Sequence, residues 1–180
     1  MQTPEPDKGV IAPDFSLKGV DDKTYSFNDI KGTKGTVVAF ICNHCPYVRA
    51  VIDRLVEDLD TLQEEGIGAV AIMPNDTDKY PDDSFDNMKK FAEGHEFSFP
   101  YLIDEDQKIA KSYDAICTPD IFGFNSDDEL QYRGRVDSAG PKEADNNTKR
   151  ELRDAMRRIA ETGQGPEEQY PAMGCSIKWR

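Results

Sequence analysis

Six residues, Thr36-Val37-Val38-Ala39-Phe40-Ile41, pass directly into Cys42-Asn43-His44-Cys45-Pro46, and that junction constrains the chain more than any other feature. The run is β-branched and almost wholly apolar, as suits a strand covered on both faces. After Pro46 the period changes. Val48, Val51, Ile52, Leu55, Val56, Leu59 and Leu62 recur at three- and four-residue steps, which predicts a long helix from Pro46 to Glu65. Proline fits the first turn of a helix, where its missing N–H costs nothing. Gly66 ends the helix, and Ile67 to Met73 reads as a second buried strand.

Alternation continues along the chain. Asp14 to Leu17 and Lys23 to Phe27 predict a short N-terminal hairpin. Ser84 to Gly94 predicts a helix with Phe85, Met88 and Phe91 on its apolar face and Ser84 as its cap. A short strand over Phe99 to Ile103 and a short helix over Asp106 to Tyr113 follow. Ile121 to Phe124 and Leu130 to Arg133 predict two strands joined by a turn-rich loop, and Thr148 to Thr162 a closing helix. This order implies a parallel βαβ core with an antiparallel extension. The expected architecture is a three-layer α/β sandwich, its central mixed sheet extended by the N-terminal hairpin.

At 180 residues the chain fits one domain. Residues 1–13 are a Pro-rich lead-in, residues 14–163 the domain, and residues 164–180 an irregular tail, which Trp179 is expected to anchor. No stretch approaches the roughly 20 apolar residues that cross a bilayer. The opening Met1 to Asp7 lacks the basic end and apolar run of a signal peptide, so a cytoplasmic location is expected. A net charge of −13 argues against nucleic acid as a partner, since phosphate binding rests on clustered Lys and Arg. The acids, Asp82-Asp83 among them, are spread along the chain and read as a solvated surface.

Four cysteines in a chain of this size do not form a disulfide scaffold. Two of them make one C-x-x-C where the first buried strand meets the long helix. A thiol at a helix N-terminus faces unpaired N–H groups and the positive end of the helix dipole, which favour thiolate over thiol. A protonated His44 beside the pair favours the anion further, and a stabilised thiolate makes the disulfide a stronger oxidant. C-x-x-C near a βαβ pattern is a redox signature. Half of a zinc site is the competing reading, but no second C-x-x-C or H-x₃-H completes it, and no metal is expected.

On these residues the chain resembles the thioredoxin-like superfamily, in the branch of alkyl hydroperoxide reductase C and thiol-specific antioxidant proteins. The resemblance spans roughly Gly9 to Ile159 and rests on Ala12-Pro13-Asp14-Phe15-Ser16-Leu17, on Cys42 to Val48, and on Thr118-Pro119-Asp120. It implies a thioredoxin-like fold, a cis Pro119 lying against the cysteine pair, and a role for Thr118 and Pro119 in presenting backbone to a bound peptide or disulfide, with Asn43 and Pro46 also lining that site. It implies no cofactor beyond a Cys42–Cys45 disulfide. Two departures separate the chain from ordinary thioredoxins. Ile41 stands where they have Trp, and Gly35 to Ile41 holds no carboxylate, so proton handling must come from His44, solvent or elsewhere.

Two enzymatic readings follow. In thiol–disulfide exchange, Cys42 is the more exposed nucleophile and Cys45 resolves, with a protein or small-molecule disulfide as substrate and a thiol as reductant. In a peroxidase, Cys45 attacks peroxide and Cys42 resolves. The peroxiredoxin motif is T-x-x-C, and Cys42 stands where its Thr belongs, which favours exchange. Arg133 and Arg135 are the candidate arginines for a peroxidatic thiolate, though both read as surface residues. A metal carrier and a non-catalytic peptide-binding module are the remaining alternatives. Cys117, two residues before Pro119, and Cys175, in an apolar patch of the tail, are candidate auxiliary redox thiols, open to pairing with each other.

Overall fold

Alternate residues of the central apolar run serve two different cores. Val37, Ala39 and Ile41 point into one cluster, and Val38 and Phe40 into the other. The computed structural model, which describes residues 1–180, shows how the chain is built around that division. The elements in chain order are β1 (Ser16–Gly19), β2 (Thr24–Ser26), α1 (Phe27–Ile30), β3 (Gly35–Phe40), α2 (Pro46–Glu64) and β4 (Ile67–Met73). A 3-10 turn over Pro81–Asp83 precedes α3 (Phe85–Gly94), β5 (Tyr101–Ile103) and α4 (Lys108–Ser112). The chain closes with β6 (Cys117–Thr118), β7 (Asp120–Phe124), β8 (Leu130–Arg133), α5 (Glu151–Thr162) and β9 (Cys175–Ser176).

Seven strands form one sheet in the order β2-β1-β5-β4-β3-β7-β8. The β3–β4 and β4–β5 pairs are parallel and the others antiparallel, so the sheet is mixed. Helices α2, α3 and α5 cover one face with Leu55, Met88 and Leu152 among their buried residues. The other face is closed by α1, α4 and the Phe15, Phe27, Tyr113 and Phe124 rings. This is the expected three-layer sandwich, thioredoxin-like in its arrangement. Ser26 ends β2 and caps α1 through a reciprocal capping box with Asp29, which is why Phe27 leaves the hairpin for a helix. Ser84 caps α3 as expected, accepting from the Asn87 N–H at 3.2 Å.

The two termini are part of the fold. The lead-in bridges Gln2 to Met173 and Ile11 to Glu129. In the tail, β9 pairs antiparallel with β6, placing Thr118 opposite Cys175 and Cys117 opposite Ser176. Ile177 is buried in the second core, whereas Trp179 is 41% exposed. Ile177 therefore anchors the tail, correcting the expectation for Trp179: the aliphatic side chain joins the second core, and the indole stays outside beneath Lys111.

Arg133 corrects a second expectation. It is buried and makes a bidentate pair with Asp120, Nε to Oδ1 at 3.0 Å and Nη2 to Oδ2 at 2.7 Å. Asp120 Oδ2 also accepts from the Ile116 N–H at 3.0 Å. The pair thus ties β8 to the loop carrying Thr118 and Pro119. Removing one partner of a buried pair strands the other charge, at a cost of about 3–5 kcal/mol, while an exposed pair contributes about 0–1 kcal/mol. Urea unfolding should show Arg133→Ala destabilised by about 3–5 kcal/mol. Arg157→Ala, which loses only the surface pair with Glu65, should change by no more than about 1 kcal/mol. Equal losses for the two variants would contradict this account.

Candidate active site

β3 ends at Phe40 and α2 begins at Pro46, and the five residues between them place Ile41, Cys42 and Cys45 in the core beneath α2. Cys45 is the N-cap of α2, and its side chain makes no aligned cap hydrogen bond. Cys42 lies three residues earlier, against the sheet. Neither sulfur is exposed: Cys42 is 1% and Cys45 0% accessible. Exposure therefore does not select Cys42 as the first nucleophile, contrary to the expectation from its place before the helix. Thr118 of β6 lies against both, and Cys175 of the tail lies against Cys45.

Both sulfurs meet Thr118. Cys42 Sγ lies 3.4 Å from Thr118 Oγ1, and Cys45 donates its S–H to the Thr118 carbonyl at 3.2 Å. The Thr118–Pro119 peptide bond is cis. Thr118 and Pro119 are themselves buried, because β9 occupies the backbone edge that a bound peptide was expected to take. Pro46 is exposed at the first turn of α2.

Asn43 was expected to line a substrate site and instead points inward. Its Oδ1 accepts from Tyr101 Oη at 2.8 Å, and its Nδ2 donates to the Asp82 carbonyl at 3.1 Å. Burial holds the Tyr101 hydroxyl far above its usual range, so it stays protonated and donates. Both polar ends of Asn43 are thus engaged, which fixes the C-x-x-C loop from inside.

One residue that the sequence placed on the surface organises the whole site. Asp83 is 0% exposed. Its Oδ1 accepts from the Asn43 N–H at 2.8 Å and its Oδ2 from Asn75 Nδ2 at 3.0 Å. His44 Nδ1 approaches Oδ2 at 2.6 Å, out of line for a hydrogen bond, and the imidazole stacks on Tyr80 at 5.9 Å. Asn75 in turn accepts from the Lys178 N–H at 2.9 Å, which joins the tail to the carboxylate. A buried acid is present after all, supplied by the 3-10 turn before α3 rather than by β3.

The two thiols ionise as a pair. Cys45 is lowered to about 4, first by the hydrogen bond from the Cys42 thiol, against the effect of burial. The Cys175 thiol and the N–H groups of Val48 and Cys175 assist. Cys42 is pushed far up by that same hydrogen bond, then by burial and by the charge of Asp83, with the Thr118 hydroxyl opposing. Ionising Cys45 gives up its bond to the Thr118 carbonyl, but four donors replace it. The anion therefore sits on Cys45 and the proton on Cys42.

Cys42 Sγ, a ring nitrogen of His44 and an Asp83 oxygen lie within 4.8 Å of one another, the donor types a soft divalent metal takes. Two N or O ligands on one tetrahedral zinc stand roughly 3.3 Å apart, from bond lengths of about 2.0–2.1 Å. The 2.6 Å His44–Asp83 contact is shorter than that spacing, and both Asp83 oxygens already accept amide protons. The geometry fits a direct His44–Asp83 contact better than a metal cage.

Cys117 and Cys175 do not face each other. Opposed residues of a ladder share a face and neighbours alternate, so the register puts Cys175 on the Thr118 side and Cys117 on the other. Burial, then the charge of Asp120, pushes Cys117 up to about 12, and its S–H points at the Pro119 carbonyl. Arg135 is committed to Glu151, Nε to Oε1 at 2.6 Å, so neither candidate arginine is free to face the sulfurs.

Residues 9–133 match the model of the AhpC/TSA family. The chain belongs to that family. Its fold matches an uncharacterized conserved protein from Geobacillus kaustophilus at 42% identity and TM-score 0.92, covering 99% of this chain and 95% of that one. A hypothetical protein from Sinorhizobium meliloti 1021 matches at 31% identity and TM-score 0.93, over 99% and 98% of the two chains. The thioredoxin domain of a thiol-disulfide oxidoreductase from Bacteroides vulgatus shares the fold at 18% identity and TM-score 0.60, over 71% of this chain and 88% of that one. Among the curated proteins compared, none matches. No helix is long and apolar enough to cross a membrane.

The site makes a spectroscopic prediction. The reduced AhpC/TSA protein should carry one thiolate at neutral pH, visible by its ultraviolet absorbance. Acid protonates it, so the band should be lost as pH falls through about 4 and be absent from Cys45→Ser. Asp83→Asn removes the charge that opposes a Cys42 anion, so the second thiolate should form at lower pH than in the wild type. A band that appears only in alkali, or a second ionisation unmoved by Asp83→Asn, would contradict the assignment.

Proposed function

We propose that this protein is a thiol–disulfide oxidoreductase whose working group is the Cys42–Cys45 dithiol/disulfide couple. The observation that carries this reading is the meeting of both sulfurs on Thr118, at 3.4 Å and 3.2 Å, at the start of α2. Membership of the AhpC/TSA family agrees with redox chemistry at such a site.

The charge distribution sets the order of steps. The Cys45 thiolate attacks a sulfur of a partner disulfide; that S–S bond breaks, a mixed disulfide forms on Cys45, and one partner thiolate leaves. Cys42 then loses its proton, for which the Asp83 carboxylate, within 4.8 Å, is the adjacent acceptor. The Cys42 thiolate attacks the Cys45 sulfur, closing the Cys42–Cys45 disulfide and releasing the second partner thiolate. Two electrons have passed from the pair to the partner, and a thiol reductant returns them. His44, when protonated, offsets the Asp83 charge and so tunes how readily that proton moves. The electrons pass through the pair alone, and the cycle is consistent with protein or small-molecule disulfides as substrates.

Placing the anion on Cys45 also suits a peroxidase, which attacks with that sulfur. Against it, Cys42 stands where a peroxide-orienting hydroxyl belongs, and Arg133 and Arg135 are held by Asp120 and Glu151. Reduction of insulin driven by dithiothreitol distinguishes the two. The wild type should turn over, and both Cys42→Ser and Cys45→Ser should fall to background. With Cys175 also replaced by Ser, Cys42→Ser should trap a mixed disulfide on Cys45. Background insulin reduction together with rapid peroxide consumption would replace this proposal with the peroxidase.

A further inference from the structure

The couple is sealed, and something must connect it to solvent. Cys42 and Cys45 are buried, as is Cys117, and Cys175 is the one cysteine of the four that is partly exposed. Strand β9 holds it in place by pairing with β6, the strand whose Thr118 touches both active-site sulfurs. Cys175 also packs against the core cluster that contains Cys42 and Cys45.

The close approach is built into the neighbouring residue. A Cβ on Gly174 would stand 2.5 Å from the Thr118 carbonyl oxygen and 3.1 Å from Cys117 Sγ. Only glycine lets the tail lie this near β6. Beyond the site, Ile177 N–H donates to the Ile116 carbonyl at 3.1 Å, and Lys178 is held at both backbone groups by Asn75 and Gln107. The tail is therefore seated on either side of Cys175 rather than draped over it.

We infer that Cys175 is a third redox thiol, which exchanges with Cys45 and carries reducing equivalents between solvent and the buried couple. The inference rests on the proposed Cys42–Cys45 chemistry and adds a route to it. In the oxidised protein, Cys175 loses its proton to solvent and its thiolate attacks Cys45 Sγ. The Cys42–Cys45 bond breaks, a Cys45–Cys175 bond forms, and Cys42 leaves as a thiolate that takes up a proton. No electrons are gained or lost in this step. An external thiol, as glutathione or a protein dithiol, then attacks the sulfur of the partly exposed Cys175; the Cys45–Cys175 bond breaks, Cys45 leaves as a thiolate, and a second thiol displaces Cys175 from the resulting mixed disulfide, completing the two-electron reduction. In the reduced protein burial and the Cys45 anion hold the Cys175 thiol up at about 11, and the part due to that anion disappears once Cys45 is oxidised. The relay thiol is thus quiet when reduced and freer to react when needed.

Disulfide mapping of the full chain tests this. Cys42→Ser, oxidised with diamide, acid-quenched and alkylated, should yield a Cys45–Cys175 peptide as its main disulfide. Adding Gly174→Ala to that variant should slow its formation at least tenfold. In the otherwise wild-type chain, Cys175→Ser should still form Cys42–Cys45 but be re-reduced by glutathione at least tenfold more slowly. If Cys42→Ser leaves Cys45 and Cys175 free, or pairs Cys45 with Cys117, while the wild type forms Cys42–Cys45, the relay is wrong and the couple stands. Unchanged re-reduction in Cys175→Ser has the same meaning. If the wild type forms no Cys42–Cys45 disulfide, the couple itself is wrong and the relay falls with it.

Discussion

A carboxylate with no solvent exposure stays in a protein interior only if other groups replace its water, and Asp83 is placed where that replacement also builds the site. Asn43 and Asn75 donate to its two oxygens, and His44 brings a pairing group. Both asparagines have a second duty. Asn43 pins the C-x-x-C loop to Tyr101, and Asn75 receives the tail through Lys178. The charge that results opposes an anion on Cys42, adding to the Cys42–Cys45 hydrogen bond and to burial, which act first. Geometry and thiol chemistry therefore depend on the same carboxylate.

Thr118 plays the corresponding part on the opposite side of the sulfurs. The Arg133–Asp120 pair holds its loop, since Asp120 also accepts from Ile116. Strand β9 then covers its open edge, an internal case of strand addition in which the added strand carries a cysteine. Burial of the couple, a seated tail and a partly exposed Cys175 are consequences of one arrangement. A site closed in this way selects partners by access as well as by potential.

The fold was largely legible in the sequence because its signals are local. The switch from the unbroken apolar run at Thr36–Ile41 to three- and four-residue spacing after Pro46 marks β3, the loop and α2. The hairpin, α3 and the β7–β8 pair follow from equally local patterns. What stayed hidden depends on long-range placement. Asp82 and Asp83 are identical neighbours in an acidic chain, and only the 3-10 turn decides that one faces solvent and the other the sulfurs. Asp83 stands just before the Ser84 cap, a position that hinted at structure but not at burial. Asn43 pointed toward substrate until Tyr101, 58 residues away, was seen to hold it. Arg133 looked exposed for the same reason, as its partner Asp120 lies on the neighbouring strand. The β6–β9 register, which separates Cys117 from Cys175, has no counterpart in local spacing.

The central claim is that Cys42 and Cys45 form a reversible couple within this buried network. The most direct measurement is equilibration of the protein in a graded series of glutathione redox buffers, followed by acid quenching, alkylation and mass analysis of each cysteine. The account predicts a single two-electron transition in which Cys42 and Cys45 become protected together, reversing when the buffer is made reducing, while Cys117 remains free throughout. Cys42 and Cys45 staying open to alkylation across the whole series would contradict it.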